Sequence, residues 1–226
     1  MKEYYNLLRL RFNHIQINTG KRYIDVNLEK DLFKSKELVA EEKIDGSQTA
    51  IGWKSGKPYA QARSGHLPDF DKRVAFDGFW SWIWANVEKI ERTKGHLVFG
   101  EWMKPMHSVL YDDLPDFFIA FDVYNLKSGK YLNFDEKTKF LTVCGISQIP
   151  VLHIGKIRKE DVPNLVDGKK SSFSLTENME GCVIKDYNRQ MFCKYVCREF
   201  LDKFDDTGHW TSREKVKYNR LKEWRI

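Results

Sequence analysis

Short apolar segments of strand length recur along this 226-residue chain, and charged residues lie inside or directly beside several of them. The segments are residues 49–53, 59–63, 96–99, 117–121, 181–184 and 191–196. A charged side chain within an apolar strand usually has a partner or a ligand, because burying it alone is unfavourable. Apolar residues make up 42% of the sequence, which is enough for a sizeable core. These segments therefore constrain both the fold and the place of a functional site.

Two segments are predicted to be helical. Apolar residues recur at helical spacing over residues 74–90, where Trp80, Trp82 and Trp84 are interpreted as part of an amphipathic core helix. A second helix is predicted over residues 136–143.

The first two strands are joined by Lys-Ser-Gly-Lys, which predicts a hairpin turn. Strand pairs with helices outside them predict an α+β fold.

Charge and cysteine content narrow the class of protein. The chain has 38 lysines and arginines against 32 acids, a net charge of +6, which favours polyanionic partners such as nucleic acid. No apolar run approaches the roughly 18 residues of a membrane span, and the N-terminus does not resemble a signal peptide. The four cysteines lack zinc-ligand spacing. They are predicted to be reduced, buried thiols of a cytoplasmic protein without a membrane partner.

The segment EEKIDGS (residues 41–47) carries the first chemical signal. A free lysine has a pKa of about 10.4, so it attacks phosphorus only where its surroundings make it neutral. Lysine can be tuned in this way, whereas arginine cannot. The Asp-Gly turn would let the backbone approach a nucleotide closely. Taken alone, the segment is equally consistent with a charged loop that enters a hairpin.

Five further motifs follow in order along the chain. They are QARSG at 61–65, VFGEW at 98–102, DFFIAFDV at 116–123, MEGCVIK at 179–185 and MFCKYV at 191–196. A KxDG tetrapeptide occurs by chance in many chains, but six motifs in this order and at workable spacings form a specific pattern.

In these motifs the sequence resembles the covalent nucleotidyltransferases, a superfamily of ATP-dependent RNA and DNA ligases and mRNA capping enzymes. The resemblance covers roughly residues 38–220 and is strongest to small stand-alone bacterial and phage RNA ligases and to nick-sealing phage RNA ligases. It implies a nucleotidyltransferase (adenylyltransferase) domain over residues 1–200, with antiparallel sheets flanked by helices in an ATP-grasp-like fold. Residues 201–226 would form a short helical, basic extension, too short for an OB-fold.

The resemblance also implies roles for residues near the nucleophile. Lys43 matches the lysine that attacks the α-phosphate of ATP and forms lysyl-AMP. Glu42 and Ile44 match positions that contact adenine and orient the nucleotide, although Glu42 is equally consistent with a solvated acid. Gln48 matches a polar amide near the nucleotide or the reacting strand, with an exposed strand residue as the alternative.

Three further residues match the nucleoside-binding part of the family's site. Arg63 resembles the arginine that reaches the nucleotide phosphate or ribose, for which its planar fork is suited. Glu101 resembles the acid that holds the ribose hydroxyls. Phe121 resembles the aromatic residue that stacks on the purine, with Phe117 or Phe118 as alternatives.

The last motifs match the phosphate and metal contacts. Glu180 resembles the acid that supports a catalytic metal, Mg²⁺ or Mn²⁺, which needs only one or two carboxylates besides phosphate. Lys185 and Lys194 match lysines that stabilise charge on the phosphates, with a rim lysine or a structural ion pair as the alternative. ATP and a divalent metal are therefore the cofactors that the resemblance implies.

Two features depart from the nick-sealing pattern. The last motif has Val196 where a second lysine is usual, and Arg198 is interpreted as a substitute for one phosphate contact. His107 and Ser108 are interpreted as residues that fix a loop or bind a strand end. The tail from residue 213 to 226 is consistent with a phosphate-binding helix or with a solvated amphipathic cap.

The resemblance predicts an ATP-dependent RNA ligase that joins 5′-phosphate and 3′-hydroxyl ends through lysyl-AMP and an adenylylated 5′ end. A DNA or RNA–DNA nick ligase and a non-catalytic binder of nucleic-acid ends are the alternatives. The sequence leaves open the biological substrate, nick or single-stranded end, the oligomeric state, and whether a partner protein supplies a second domain.

Overall fold

The structure is a computed structural model that describes residues 2–4, 7–12, 23–63, 65–207 and 216–222. The chain forms two compact units. Unit 1 comprises Met1–Tyr4, Asp45–Ile149 and Arg213–Ile226. Unit 2 comprises Tyr5–Ile44 and Pro150–Ser212. The EEKIDGS segment therefore ends one stretch of unit 2 and begins one stretch of unit 1.

The strands, in chain order, are β1 (Leu8–Arg9), β2 (Leu38–Lys43), β3 (Ser47–Lys54), β4 (Lys57–Ala62), β5 (Gly65–His66), β6 (His96–Trp102), β7 (Phe118–Asn125), β8 (Lys130–Tyr131), β9 (Val151–Gly155), β10 (Gly181–Asp186) and β11 (Met191–Val196). The helices are α1 (Val26–Leu32), α2 (Phe79–Ala85), α3 (Val87–Glu91), α4 (Phe134–Cys144) and α5 (Arg198–Thr207). The predicted boundary between residues 200 and 201 falls inside α5.

Unit 2 contains a five-stranded sheet with the order β1-β11-β10-β2-β9. Strand β10 pairs antiparallel with β2 and β11, whereas β1 runs parallel to β11. One face of the sheet packs on an apolar core, whose buried side chains include Leu38, Ala40, Cys182 and Ile184. The other face carries the odd-numbered residues of β2, because side chains alternate along a strand.

Unit 1 contains a six-stranded antiparallel sheet with the order β5-β4-β3-β6-β7-β8. The predicted hairpin is β3–β4, and all the predicted strands are present in the structure. One face packs on α2 and α4, where Ile51, Trp102 and Phe118 meet Ile83 and Leu141 in one buried cluster. The two sheets and their flanking helices confirm the predicted α+β class.

The prediction of one continuous helix over residues 74–90 is wrong, because the segment forms a 3₁₀ turn and two short helices. A 3₁₀ turn covers Val74–Phe76, and Gly78 then adopts a left-handed conformation (φ 73°) before α2 begins. Asn86 separates α2 from α3 with a non-helical backbone (φ −116°, ψ 23°). Apolar spacing persists across these breaks because all the pieces cover the same core, so periodicity alone did not show where the backbone turns.

The second predicted helix is confirmed as α4, two residues longer at its start and one at its end. Asn133 and Glu136 form a capping box at its N-terminus, and Gly145 ends it with φ 68°. The four cysteines are free and buried, as predicted. Among the described residues, no helix is long and apolar enough to cross a membrane.

Residues 216–222, the part of the tail that the structure describes, contain no α-helix, so the expected helix is not found there. Most of their side chains are exposed, which agrees with the alternative of a solvated cap. Tyr218 bridges Pro105, and Leu221 bridges Leu114. Asn219 is buried between them, with only 3% of its surface exposed. Residues 213–215 and 223–226, the remainder of the predicted tail, lie outside the described residues.

Candidate active site

The register of the unit 2 sheet brings the predicted lysines onto one face. Lys43 lies opposite Gly181 on β10, and Val183, two residues further along, lies opposite Lys194 on β11. Residues directly opposite one another share a face, as do residues two apart within a strand. Lys185 follows Val183 at the same spacing. All three lysines therefore belong to the face that points away from the apolar core.

The EGCVIK motif depends on a close approach of two strands. A Cβ atom at Gly181 would lie 2.1 Å from the Tyr195 carbonyl oxygen and 2.9 Å from the Cα atom of Val196. No side chain fits there without a shift of the backbone. The glycine therefore permits the β10–β11 pairing that aligns the lysine face.

Lys43 is held by the carboxylate of Glu180, the residue directly before β10. Its Nζ atom lies 2.5 Å from Oε1 of Glu180, and 20% of the Lys43 side chain is exposed, compared with 5% for Glu180. A charge-assisted hydrogen bond of this length fixes the amine in position. Glu180 is thus within reach of the predicted nucleophile, both to orient it and to exchange a proton with it.

A second ion pair lies on this face, and its carboxylate, Glu41, was not identified from the sequence. Lys185 Nζ lies 2.6 Å from Oε2 of Glu41, and both side chains are almost fully buried. Glu41 shares the spacing of Lys43 along β2, so the alternation of the strand contained the signal once the register was known. The predicted contact of Lys185 with a phosphate remains a prediction, and such a phosphate would share the ammonium with Glu41.

Glu42 lies on the opposite, core-packed face of β2. Its carboxylate accepts hydrogen bonds from the Ser171 hydroxyl at 2.5 Å and from the Ser172 amide at 3.0 Å. Burial raises the pKa of Glu42, and the two serine hydrogen bonds oppose that rise. The side chain is 1% exposed, which argues against the alternative of a solvated acid. Its predicted contact with the nucleotide remains a prediction, and the geometry favours a structural role for the carboxylate.

The remaining unit 2 candidates differ in exposure. Lys194 is half-buried in β11, whereas Ile44 is buried with 3% exposure. Val196, at the position of the usual second lysine, is also buried. Arg198 is exposed at the start of α5, where its Nε lies 3.7 Å from Asp202. The side chain of Arg198 is therefore available to solvent, and its role as a substitute cation stays a prediction.

In unit 1, three predicted residues lie together on the sheet face away from the helices. Gln48 on β3 is directly opposite Glu101 on β6. Arg63 directly follows β4, and its Nε donates a long hydrogen bond of 3.4 Å to Oε1 of Gln48. The register thus assembles an amide, an acid and a guanidinium on one surface.

Phe121 occupies a β-bulge on the neighbouring strand. Phe99 pairs with Asp122 and Gly100 with Ala120, so Phe121 is the extra residue in β7. It is half-buried, whereas the alternative Phe118 is fully buried in the core cluster. A ring that remains partly exposed is suited to stack on a base, which favours Phe121 over Phe118. The other alternative, Phe117, is also half-buried but packs against the core cluster.

Tyr4 was also missed by the sequence reasoning. Its ring meets the edge of Phe121 with centroids 4.7 Å apart, and it contacts Phe99 and Tyr131 as well. Its hydroxyl donates a hydrogen bond to Asp122. Nothing in the local pattern around Tyr4 indicated this contact, because it depends on long-range folding of the N-terminus onto the sheet.

The turn that follows Lys43 and Ile44 is closely held within unit 1. Asp45 Oδ2 accepts a hydrogen bond from the Ser108 amide at 3.0 Å, and Ser47 Oγ lies 3.2 Å from Nε2 of His107. A Cβ atom at Gly46 would lie 2.8 Å from the Trp102 carbonyl oxygen. The glycine therefore serves the packing of this turn against the end of β6. His107 and Ser108 act here to fix a loop, one of the two roles interpreted from the sequence.

The residues present fit a hydrated divalent metal better than a protein-enclosed one. Across the described ranges, no group of three or more histidine, cysteine, aspartate or glutamate side chains is placed to hold a metal ion. Glu180 supplies one carboxylate on the lysine face. A magnesium site built from one or two carboxylates together with nucleotide phosphates is compatible with this arrangement.

Comparison with known proteins agrees with this arrangement. The family model described as RNA ligase matches residues 36–197. No curated protein matches the sequence. Similar solved structures include Naegleria gruberi RNA ligase with PPi, with a TM-score of 0.66 and 19% identity over 80% of this chain and 56% of that chain.

Two variants of the same Naegleria gruberi ligase are similar to a comparable extent. One, with AMP and Mn, has a TM-score of 0.64 and 18% identity over 80% of this chain and 56% of that chain. The other, with ATP and Mn, has a TM-score of 0.68 and 18% identity over 90% and 62%. The chain therefore spans 56–62% of the length of these solved relatives. Since the family model covers more than two thirds of the sequence, the chain belongs to the RNA ligase family.

Proposed function

We propose that this protein is an ATP-dependent RNA ligase whose nucleophile is Lys43. The observation that carries the proposal is the shared face of the unit 2 sheet, where Lys43 pairs with Glu180 and lies on the same side as Lys185 and Lys194. A buried or half-buried set of lysines beside glutamates suits the transfer of a negatively charged nucleotide better than it suits an apolar ligand.

In the first step, the Lys43 amine attacks the α-phosphate of ATP, an Nζ–P bond forms, and the bond to pyrophosphate breaks. The amine must lose a proton before it attacks, and we propose that Glu180, whose Oε1 atom lies 2.5 Å from Nζ, accepts it. Lys194 and Lys185 would stabilise the charge that develops on the phosphates as pyrophosphate leaves.

The nucleoside would be bound by residues of unit 1. Glu101 would accept hydrogen bonds from the ribose hydroxyls, Phe121 would stack on adenine, and Arg63 with Gln48 would contact phosphate or ribose. Support comes from their placement on one face of that sheet. Glu42 and Ile44 would act mainly through the backbone, since both side chains are buried.

A divalent cation, Mg²⁺ or Mn²⁺, completes the proposal. When bound, it would supply positive charge at the α-phosphate and favour departure of pyrophosphate. Glu180 would support it through a bound water, together with the phosphates. The Naegleria gruberi ligase structures with ATP and Mn support the choice of nucleotide and metal.

In the later steps, AMP passes from Lys43 to a 5′-phosphate end, and a 3′-hydroxyl then attacks that end, displaces AMP and leaves a phosphodiester bond. The partner is therefore nucleic acid, with RNA favoured by the family. The net charge of +6 would assist binding of its ends. A reducing, cytoplasmic compartment belongs to the proposal, supported by four free, buried thiols.

The proposal is tested by intact mass spectrometry after incubation with magnesium and ATP or GTP. We expect one added AMP on the wild-type protein with ATP, none with GTP, and none on a Lys43→Ala variant. The control variant is Lys36→Ala, which removes an exposed lysine just before β2 and should label normally. Absence of an adduct on wild-type protein that carries no AMP beforehand would contradict the proposal in favour of a non-catalytic end binder.

Substrate preference is measured next, with nicked RNA duplexes, nicked DNA duplexes, RNA–DNA hybrids and single-stranded RNA. We expect sealed product with RNA 3′-hydroxyl ends. Sealing of DNA nicks alone would instead identify a DNA nick ligase. An enzyme that labels itself with AMP but joins none of these ends would point to a partner protein that supplies a second domain.

A further inference from the structure

Residues 216–222 lie beyond the part of the sequence that matches the family model, residues 36–197, but they belong to unit 1. We call residues 216–222 the C-terminal clamp and residues 103–111 the anchor loop. Met106 donates a backbone hydrogen bond to Lys217 at 2.9 Å, and Arg220 donates one to Tyr111 at 2.9 Å. The clamp therefore runs alongside the anchor loop and pairs with its backbone in several places.

The side chain of Asn219 joins both ends of the anchor loop. Its Nδ2 donates to the Met103 carbonyl at 2.6 Å, and its Oδ1 accepts from the Tyr111 amide at 2.9 Å. The Asn219 amide also donates to the Lys104 carbonyl at 3.0 Å. Since Asn219 is 3% exposed, these hydrogen bonds are shielded from water, and their loss would leave buried backbone groups without partners.

The anchor loop in turn holds the turn that follows the nucleophile. The Asp45 amide donates to the Tyr111 hydroxyl at 3.0 Å, and the Ser108 amide donates to the Asp45 carboxylate at 3.0 Å. Nδ1 of His107 lies 3.7 Å from the same carboxylate. Tyr111 is 1% exposed, so its hydroxyl is a fixed acceptor.

From this chain of contacts we propose that Asn219 is a positioning residue for nucleotidyl transfer. It holds Tyr111 and the anchor loop, which hold Asp45, two residues after Lys43 in the sequence. The inference rests on the proposed function for its effect on rate, but its effect on the order of residues 44–48 is independent of activity. A small displacement near a reacting group is costly, because the attack requires aligned atoms.

The test uses the full chain and two variants. Asn219→Ala removes the link between the clamp and the anchor loop. Tyr111→Phe removes a single oxygen atom, so it leaves the packing of the ring intact and guards against failure of the first variant to fold. The matched control is Tyr195→Phe, which removes an equally buried hydroxyl that donates to Asp167 on the core side of unit 2.

Two quantities are measured for each protein. The first is the rate of AMP-adduct formation as a function of ATP concentration, and the second is amide hydrogen exchange in a peptide that covers residues 44–48. For both variants we expect the rate at saturating ATP to fall by roughly 10- to 100-fold, with little change in the half-saturating ATP concentration. Exchange of the Asp45 amide should become roughly five- to tenfold faster. The control should match the wild type in both.

Each outcome bears on the inference. Wild-type rates in both variants, or faster exchange without a loss of rate, would overturn it. An equal loss of rate in Tyr195→Phe would overturn it too, since the effect would then be general destabilisation. If wild-type protein forms no adduct, the proposed function fails separately. In that case hydrogen exchange alone tests whether the C-terminal clamp orders residues 44–48. Faster exchange in the two variants would support this role, and unchanged exchange would overturn it.

Discussion

The sheets of the two units share a construction but differ in the chemistry of the face that points away from the core. In unit 2 that face carries three lysines, two of which pair with glutamates at 2.5 and 2.6 Å. In unit 1 the corresponding face carries Gln48, Glu101 and a partly exposed aromatic ring. Cations suit phosphates, and an acid beside an aromatic ring suits a nucleoside, so the two tasks are proposed to belong to different sheets.

The difference also concerns how each face is stabilised. A lysine on a mostly buried sheet face is unfavourable without a carboxylate, which explains why Glu41 and Glu180 are as well buried as the cations they meet. The face in unit 1 is instead stabilised by aromatic contacts that Tyr4 makes with its neighbours. Four predictions test this contrast.

The largest expected effect concerns the Glu41–Lys185 pair. Lys185→Met should lower the free energy of unfolding by about 3–5 kcal/mol, because it leaves the Glu41 carboxylate buried without its lysine. The double variant Glu41→Leu/Lys185→Met should be more stable than this single variant, as urea unfolding can measure. If Lys185 also contacts phosphate, the double variant regains stability but still forms the adduct slowly. Full recovery of the rate would instead assign Lys185 a purely structural role.

The next effect concerns Lys194. Lys194→Ala should lower the single-turnover rate of adduct formation by about 100-fold, since one charge that stabilises the leaving phosphate is removed. The stability of the Lys194→Ala variant should change little, because the Lys194 side chain is only half-buried. Rapid-quench labelling with ATP measures the rate, with Lys36→Ala as the control. A change below about threefold would remove Lys194 from the proposed phosphate-binding set.

A smaller effect on nucleotide binding is expected for Phe121 in unit 1, and the buried ring of Phe118 serves as its comparison. Phe121→Ala should raise the ATP concentration needed for half-maximal labelling by roughly tenfold through loss of base stacking. Phe118→Ala should instead cost about 3–5 kcal/mol of stability, because that ring is fully buried in the core cluster. ATP titrations and denaturant unfolding of both variants separate the two effects. Similar ATP requirements in both would contradict the stacking role of Phe121.

The smallest effect is a pH dependence at Glu42. Since burial raises the pKa of this carboxyl above its unfolded value of 4.5, the folded chain binds the proton more tightly than the unfolded chain. The Glu42 contribution to stability is therefore largest below that value and falls as the pH rises through the raised pKa. The stability of wild-type protein relative to Glu42→Gln should decrease from acidic to neutral pH in urea unfolding. If this relative stability instead increased with pH, the pKa of Glu42 would be lower in the folded chain than in the unfolded chain.

The motifs of the sequence were sufficient to predict the family and the α+β class, because each motif is short and its residues are close together in the chain. The strands that carry Glu101 and Lys194 were predicted from local apolar patterns for the same reason. Strand β2, which carries Lys43, was not predicted, because Glu41, Glu42 and Lys43 interrupt its apolar pattern. The continuous helix over residues 74–90 failed because Gly78 and Asn86 change the backbone direction while the apolar spacing continues.

Other features required the tertiary structure. Glu41 and Glu42 are adjacent and chemically alike, and only the pairing of β2 with β10 assigns one to the lysine face and the other to the core side. Tyr4 and Asn219 carried no local signal, since each contacts partners about a hundred residues away. The sequence by itself determined which chemical groups the chain carries and in what order. Strand register and long-range hydrogen bonds decided which of them share a face, because those depend on contacts between segments remote in the chain.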